Sequence, residues 1–309
     1  MGLRELSPEL AKIARDELGE DPSRTQADLQ AIKDWLSKQR YINARTDDQW
    51  LIAFLRGCKF SLERTKEKLD NYYTMKTMLP EITKAVDPKD ARMQAMLNLG
   101  VSIILPKPCS PSGPRVVIIR PGCYDTNKYT ILDSMLLNNM ISDMLLIDDD
   151  HTTVAGTRFV VDLKGVTMGH FTQMTPATIK KMVMSGQESL PIRQKGVHHI
   201  NTPPGVETIF NLFKSFMNEK SRQRLFIHNE DMEALHEFIP KDILPAEYGG
   251  NGGTVQELIE HTKAKLASRS DWFRENGEFK TDESKRPGKP KTAETLFGIE
   301  GSFRQLSVD

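Results

Sequence analysis

Several short stretches of the chain gather side chains that could do chemistry. Asp162, followed by Leu163-Lys164-Gly165, ends an apolar run, a place where a carboxylate could act as a general acid or base. An Asp before a turn is also a routine strand terminator. His198 and His199 are adjacent in a probable strand, which sends their rings to opposite faces and rules out joint chelation. Asp148-Asp149-Asp150-His151 offers metal-binding atoms but lacks the alternating spacing and turn glycine of a calcium loop, so it reads as a solvated connection. Gly249-Gly250-Asn251-Gly252-Gly253 does not satisfy G-x-G-x-x-G, and the chain contains no G-x-x-x-x-G-K-[ST], G-x-S-x-G or H-E-x-x-H. Cys58, Cys109 and Cys123 form no C-x-x-C pair and are too few for a disulfide framework. These patterns assign no catalytic residue, no metal site and no cofactor.

Composition narrows the partners. Lys plus Arg equal Asp plus Glu at 42 each, so nucleic acid is not expected and any basic site must be local. No segment approaches the roughly 20 apolar residues that span a bilayer, and the start, Met1 to Ser7, lacks the apolar stretch of a secretory signal. A soluble, cytoplasmic monomer is expected. Gly2 invites acylation, but Leu6 stands where the motif wants Ser or Thr. The 14 methionines suit a cavity that adapts to an irregular guest, and equally an ordinary core.

The elements that would position these residues fall into three parts. Residues 1–90 read as helices: Leu29, Ile32, Trp35 and Leu36 recur at helical spacing, Thr46-Asp47-Asp48-Gln49 reads as a capping box, and Ser61 caps a stretch running to Met78. Residues 91–255 read as a sheet with crossover helices. Strands are expected at 115–120, 158–163, 197–200 and 225–228, with helices over 130–147 and from Thr175-Pro176 onward. The segment 206–217 carries Ile209, Phe210, Leu212, Phe213, Phe216 and Met217, apolar around most of its circumference, and must be covered on both faces. Residues 256–309 comprise a helix opened by the capping box Thr254 to Glu257, a flexible linker over 276–294 and a tail that docks back.

Four ordered segments carry a resemblance. They are Trp50-Leu51-Ile52-Ala53-Phe54-Leu55-Arg56-Gly57-Cys58-Lys59-Phe60, Val161-Asp162-Leu163-Lys164-Gly165, Pro191-Ile192-Arg193-Gln194-Lys195-Gly196-Val197-His198-His199-Ile200-Asn201, and Ile243-Leu244-Pro245-Ala246-Glu247-Tyr248-Gly249-Gly250. Over about 45–255 the chain resembles the CRAL-TRIO lipid-transfer family, in its tocopherol and retinaldehyde branch, and Phe297 to Arg304 resembles tails of that branch. The resemblance implies an α/β fold: a helical N-terminal subdomain, then a lipid-binding domain whose mixed or parallel sheet floors a cavity closed by a mobile lid helix, here 206–217. It implies a non-enzymatic carrier of one retinoid, tocopherol or similar lipid, exchanged transiently at phosphoinositide-containing membranes. A lipid-sensing signalling adaptor and a phosphatidylinositol-type phospholipid transfer protein are the alternatives.

By matching positions, the implied lining is Leu137, Ile141, Ser142, Leu145, Phe159, Val161, Met168, Met174, Ile179, Met182 and Val183, with Ile209, Phe210 and Phe213 from the lid. Each could equally be ordinary core, because core and cavity wall share a composition. Ser142 could anchor a polar head. Arg193, Lys195, Lys220 and Arg224, with Arg56 nearby, fall on positions implied to meet the phosphoinositide headgroup. The matching pattern at Asp162 and Gly165 is structural in the family.

Overall fold

Runs of β-branched residues fold as strands when alternate side chains find cover on the two sheet faces. The computed structural model describes residues 2–84 and 86–297. It contains one sheet in the order β1 (Ser102–Ile104), β2 (Arg115–Ile119), β3 (Thr157–Asp162), β4 (Gln194–Ile200), β5 (Leu225–Asn229). β1 is antiparallel to β2, and the remaining neighbours are parallel. β1 escapes sequence detection because three residues are too few to display an alternation.

The register fixes what each face presents. Ile119 pairs with Val161 and Val161 with His199, so these three share a face with Val117, Phe159 and Val197. The opposite face sends Val116, Ile118, Val160 and Ile200 into a core shared with Leu235, Ile239, Leu244, Leu258 and Ile259.

The helical part begins with Pro8–Ile13 and continues through the longer helices Pro22–Lys38, Asp48–Gly57 and Leu62–Met78. Ser61 and Thr175 cap their helices as expected, and Thr254 and Glu257 form a reciprocal capping box. At the Asp48–Gly57 helix the cap is Asp47 rather than Thr46, its carboxylate accepting from the Trp50 backbone N–H at 3.3 Å. A charged acceptor also suits the positive end of the helix dipole. The central helix, Ile131–Asp148, is apolar on nearly every side because it is covered on nearly every side. Leu146 and Ile147 join the Trp50, Phe54 and Tyr72 cluster, while Leu137, Ile141 and Leu145 pack with Met93, Leu97, Val117 and Leu266.

Two expectations are corrected. The run Asp148 to Asp150 is no solvated connection, because each carboxylate holds an arginine from elsewhere: Arg269 on Asp148, Arg115 on Asp149 at 2.6 Å, and Arg4 with Arg56 on Asp150 at 3.0 and 3.3 Å. Nor does the stretch 276–294 hang free. Asn43 N–H donates to the Lys280 carbonyl, Asp282 N–H to the Tyr41 carbonyl, and Arg286 bridges Asp70 and Glu283 while stacked over the Tyr41 ring. Phe297 is buried near Met174 and Met182. The remainder of the tail, 298–309, lies outside the described residues.

Candidate functional site

Two concavities follow one another along a single face of the sheet. The first is an apolar cavity of about 230 Å³ under the cover helix Glu207–Phe216. Its sheet wall is Ile119, Val161, Val197, His199 and Leu225; Ile131, Ser134, Met135 and Asn138 come from the first two turns of the central helix. Of the expected lining, Val161, Met174, Met182, Ile209, Phe210 and Phe213 border this space. Phe210 is the buried residue of the cover helix, and its ring meets His199 edge-on at 4.7 Å.

The other expected residues lie elsewhere. Leu137, Ile141 and Leu145 sit in the core beside β2, and Ser142 and Phe159 line the second concavity. Ile179 and Val183 are buried on the Pro176–Met184 helix without bordering the cavity. Met168 is 71% exposed, since it begins the Met168–Gln173 helix just beyond the turn at Gly165. A helix that is apolar all round has no readable phase, so its sequence does not say which of its turns border the cavity. Ile119, Val197, His199 and Leu225 were missed because they follow from Val161 only once strand order and register are known.

The second concavity is a cationic groove of about 470 Å³, lined by Lys59, Lys68, Arg193, Lys195, Lys220 and Arg224 around Ser142 and Phe159. Four of the five expected basic residues therefore converge. Arg56 does not: it is 2% exposed, gripped by both carboxylate oxygens of Glu20 at 2.9 and 3.0 Å and by Asp150. It is an internal ion cluster joining the N-terminal segment, the helical part and the central helix. Lys59 and Lys68, which sequence reasoning passed over, approach because Gly57 lets its helix end press on Pro191, where any Cβ would collide with the Pro191 carbonyl.

The groove cations disturb one another. Burial, then neighbouring Arg193, lowers the Lys195 pKa; burial, then Arg224, Lys59 and Arg193, lowers that of Lys220. Among the described residues the carboxylate that lines the groove is Glu17, 2.8 Å from Arg193 and 3.7 Å from Lys195, and its own pKa is lowered chiefly by the Arg193 hydrogen bond. Such a groove favours an anion.

The polar pairs noted in the sequence are otherwise engaged. Asp162 accepts from Tyr248 Oη and Asn201 Nδ2, both at 2.7 Å, which makes it a structural tie between β3, β4 and the glycine-rich segment. His198 and His199 do face opposite ways, and His198 Nδ1 lies 2.9 Å from His228 Nε2 beneath the sheet. Among the described residues no three His, Cys, Asp or Glu side chains gather as a metal cage requires. No described helix is long and apolar enough to cross a membrane.

Comparison with known proteins agrees with this architecture. Residues 102–250 match the CRAL/TRIO domain and residues 21–93 the Pinta-like UBA domain. The chain is 33% identical over 271 residues to the alpha-tocopherol transfer protein-like protein of Mus musculus, covering 87% of this chain and 78% of that one. It is 28% identical over 274 residues to Clavesin-2 of Rattus norvegicus, covering 83% and 80%. The crystal structure of Sfh5 shares the fold at a TM-score of 0.52 and 14% identity, over 88% of this chain and 99% of that one. A helical N-terminal region, a five-stranded mixed sheet and a helix-covered cavity thus coincide with sequence identity along most of the chain, which belongs to the CRAL/TRIO family.

Proposed function

We propose that the chain is a carrier, not an enzyme, that holds one hydrophobic molecule of retinoid or tocopherol type between the sheet and the Glu207–Phe216 helix. Exchange takes place at membranes bearing anionic phosphoinositide headgroups. The observation that carries this reading is the order of the two concavities: β3 gives Phe159 to the groove and Val161 to the cavity, and β4 gives Lys195 to the groove and Val197 and His199 to the cavity. An anionic surface bound at the groove is therefore brought next to the end of the cover helix, where Met217 borders the cavity and Asn218 and Lys220 border the groove.

The energetics support retention followed by triggered release. Hiding a few hundred Å² of apolar surface is worth on the order of 10 kcal/mol at about 25 cal/mol per Å², less the cost of ordering the guest. A cavity of about 230 Å³ is smaller than the roughly 300–1,000 Å³ of ordinary ligand pockets, so such a guest enters only as the cover helix moves outward. Release needs the closed state destabilised. Each groove cation near an anionic headgroup contributes about 1 kcal/mol, and the cover helix, once swung outward, can lay its apolar side, with Ile209, Phe210, Leu212, Phe213 and Phe216, in the interface while Glu207, Thr208, Asn211 and Ser215 stay in water.

Reversing Lys220→Glu and Arg224→Glu together is expected to slow transfer to phosphoinositide vesicles at least about tenfold while leaving ligand affinity intact. Unchanged transfer would refute the exchange step.

A further inference from the structure

Most polar atoms around the cavity have partners in the protein. Asn138 Oδ1 accepts from Ser102 Oγ at 2.8 Å, and its amide donates to the Ser134 carbonyl at 2.9 Å. His170 Nδ1 accepts the Thr167 backbone N–H at 3.1 Å, so its proton sits on Nε2, which donates to the Tyr124 carbonyl at 3.2 Å. His199 differs. Its Nδ1 lies 3.2 Å from the Phe226 carbonyl oxygen, and because a carbonyl only accepts, the ring proton is on Nδ1. The lone pair of Nε2 then has no donor among the described residues, on a ring that is 92% buried, borders the cavity and touches Phe210 of the cover helix.

Nε2 itself keeps some accessible surface on this otherwise buried residue, and an acceptor that opens on an apolar cavity without a donor gains when a guest supplies the missing hydrogen. Burial also pushes the His199 pKa down to about 4, so near neutral pH the ring is a neutral acceptor rather than a cation. We infer that the guest is an apolar alcohol or phenol whose hydroxyl donates to His199 Nε2, making His199 the specificity-determining residue of the cavity. This rests on the carrier reading and narrows it. Ethers, esters, aldehydes and hydrocarbons offer no donor, and an aldehyde oxygen would set lone pair against lone pair. Ser142 cannot serve the same end because it opens on the groove.

The test uses the full chain and two pairs of probes, retinol with retinaldehyde and farnesol with farnesal, each pair sharing a carbon skeleton. Intrinsic fluorescence quenching should show each alcohol binding roughly ten times more tightly than its aldehyde, the factor expected of one buried hydrogen bond. His199→Leu should bring the two affinities together, and His199→Gln, whose amide oxygen still accepts, should keep part of the preference. The comparison in the native protein needs no variant, so a misfolded His199→Leu would not shelter the inference. Equal binding of alcohol and aldehyde would overturn the role of His199 while leaving the carrier standing. Failure of all four probes to bind would overturn the carrier reading and this inference with it.

Discussion

His198 and His199 occupy opposite faces of one strand, and both are held neutral by burial, with pKa values lowered to about 3 and about 4. In an unfolded chain a histidine titrates near 6.5. The unfolded state therefore binds these protons more tightly, so the stability they confer is complete above pH ~6.5 and is lost as pH falls toward the folded values. Thermal unfolding should show a lower Tm at pH 5 than at pH 7.5, with a smaller fall in His199→Leu; an equal fall in both would show that His199 is not part of the acid response. Arg56 poses a second test at this scale. Arg56→Met strands the half-buried Glu20 carboxylate and leaves Asp150 with Arg4 alone, and should lower the free energy of unfolding by about 2 kcal/mol in urea melts. The folded variant should bind anionic vesicles as the native protein does, whereas a headgroup residue would lose that binding. Neither role was legible in the sequence. Arg56 read as a surface cation because its partners, Glu20 and Asp150, are brought to it only by tertiary packing.

Element by element, the sequence was more informative. Four of the five strands and the capped helices follow from β-branched runs and from Ser or Thr followed by a helical stripe, signals that act over a few residues. The cavity wall is a different matter, because it joins alternate residues of β2, β3, β4 and β5 across a register that no single run encodes. Val161 could be read; its partners Ile119 and His199 could not. The cover helix is recognisable by its density of large apolar residues, but the expectation that both its faces are apolar is corrected: Glu207, Thr208, Asn211 and Ser215 form an exposed polar side, and the apolar residues share the side that faces the sheet. Its attachment is slight, with Phe210 its buried residue. Phe210→Ala should favour the open state and speed ligand dissociation by about tenfold or more, with little change in global Tm. Stopped-flow release of a bound fluorescent retinoid measures this, and an unchanged rate would mean that the helix does not gate the cavity.

At the scale of the whole molecule, long-range ties hold the helical part, the sheet and the C-terminal stretch together. Arg286 is the clearest of them, stacked 4.1 Å over Tyr41 and paired with Asp70 and Glu283. Arg286→Met should lower Tm by a few degrees, because it removes a half-buried cation shared by two carboxylates while Lys291 still pairs with Asp70, and calorimetry would show it. The polar, basic composition of 276–294 suggested a free linker because composition reports average solvation and is blind to specific pairing. The central claim, that one apolar guest occupies the space between sheet and cover helix, is tested most directly by mass spectrometry of organic extracts from the purified protein and from Val161→Trp, whose indole fills that space. About one apolar molecule per native chain is predicted, with strong depletion from the folded variant. A native extract without such a species, or equal content in the two proteins, would contradict the account.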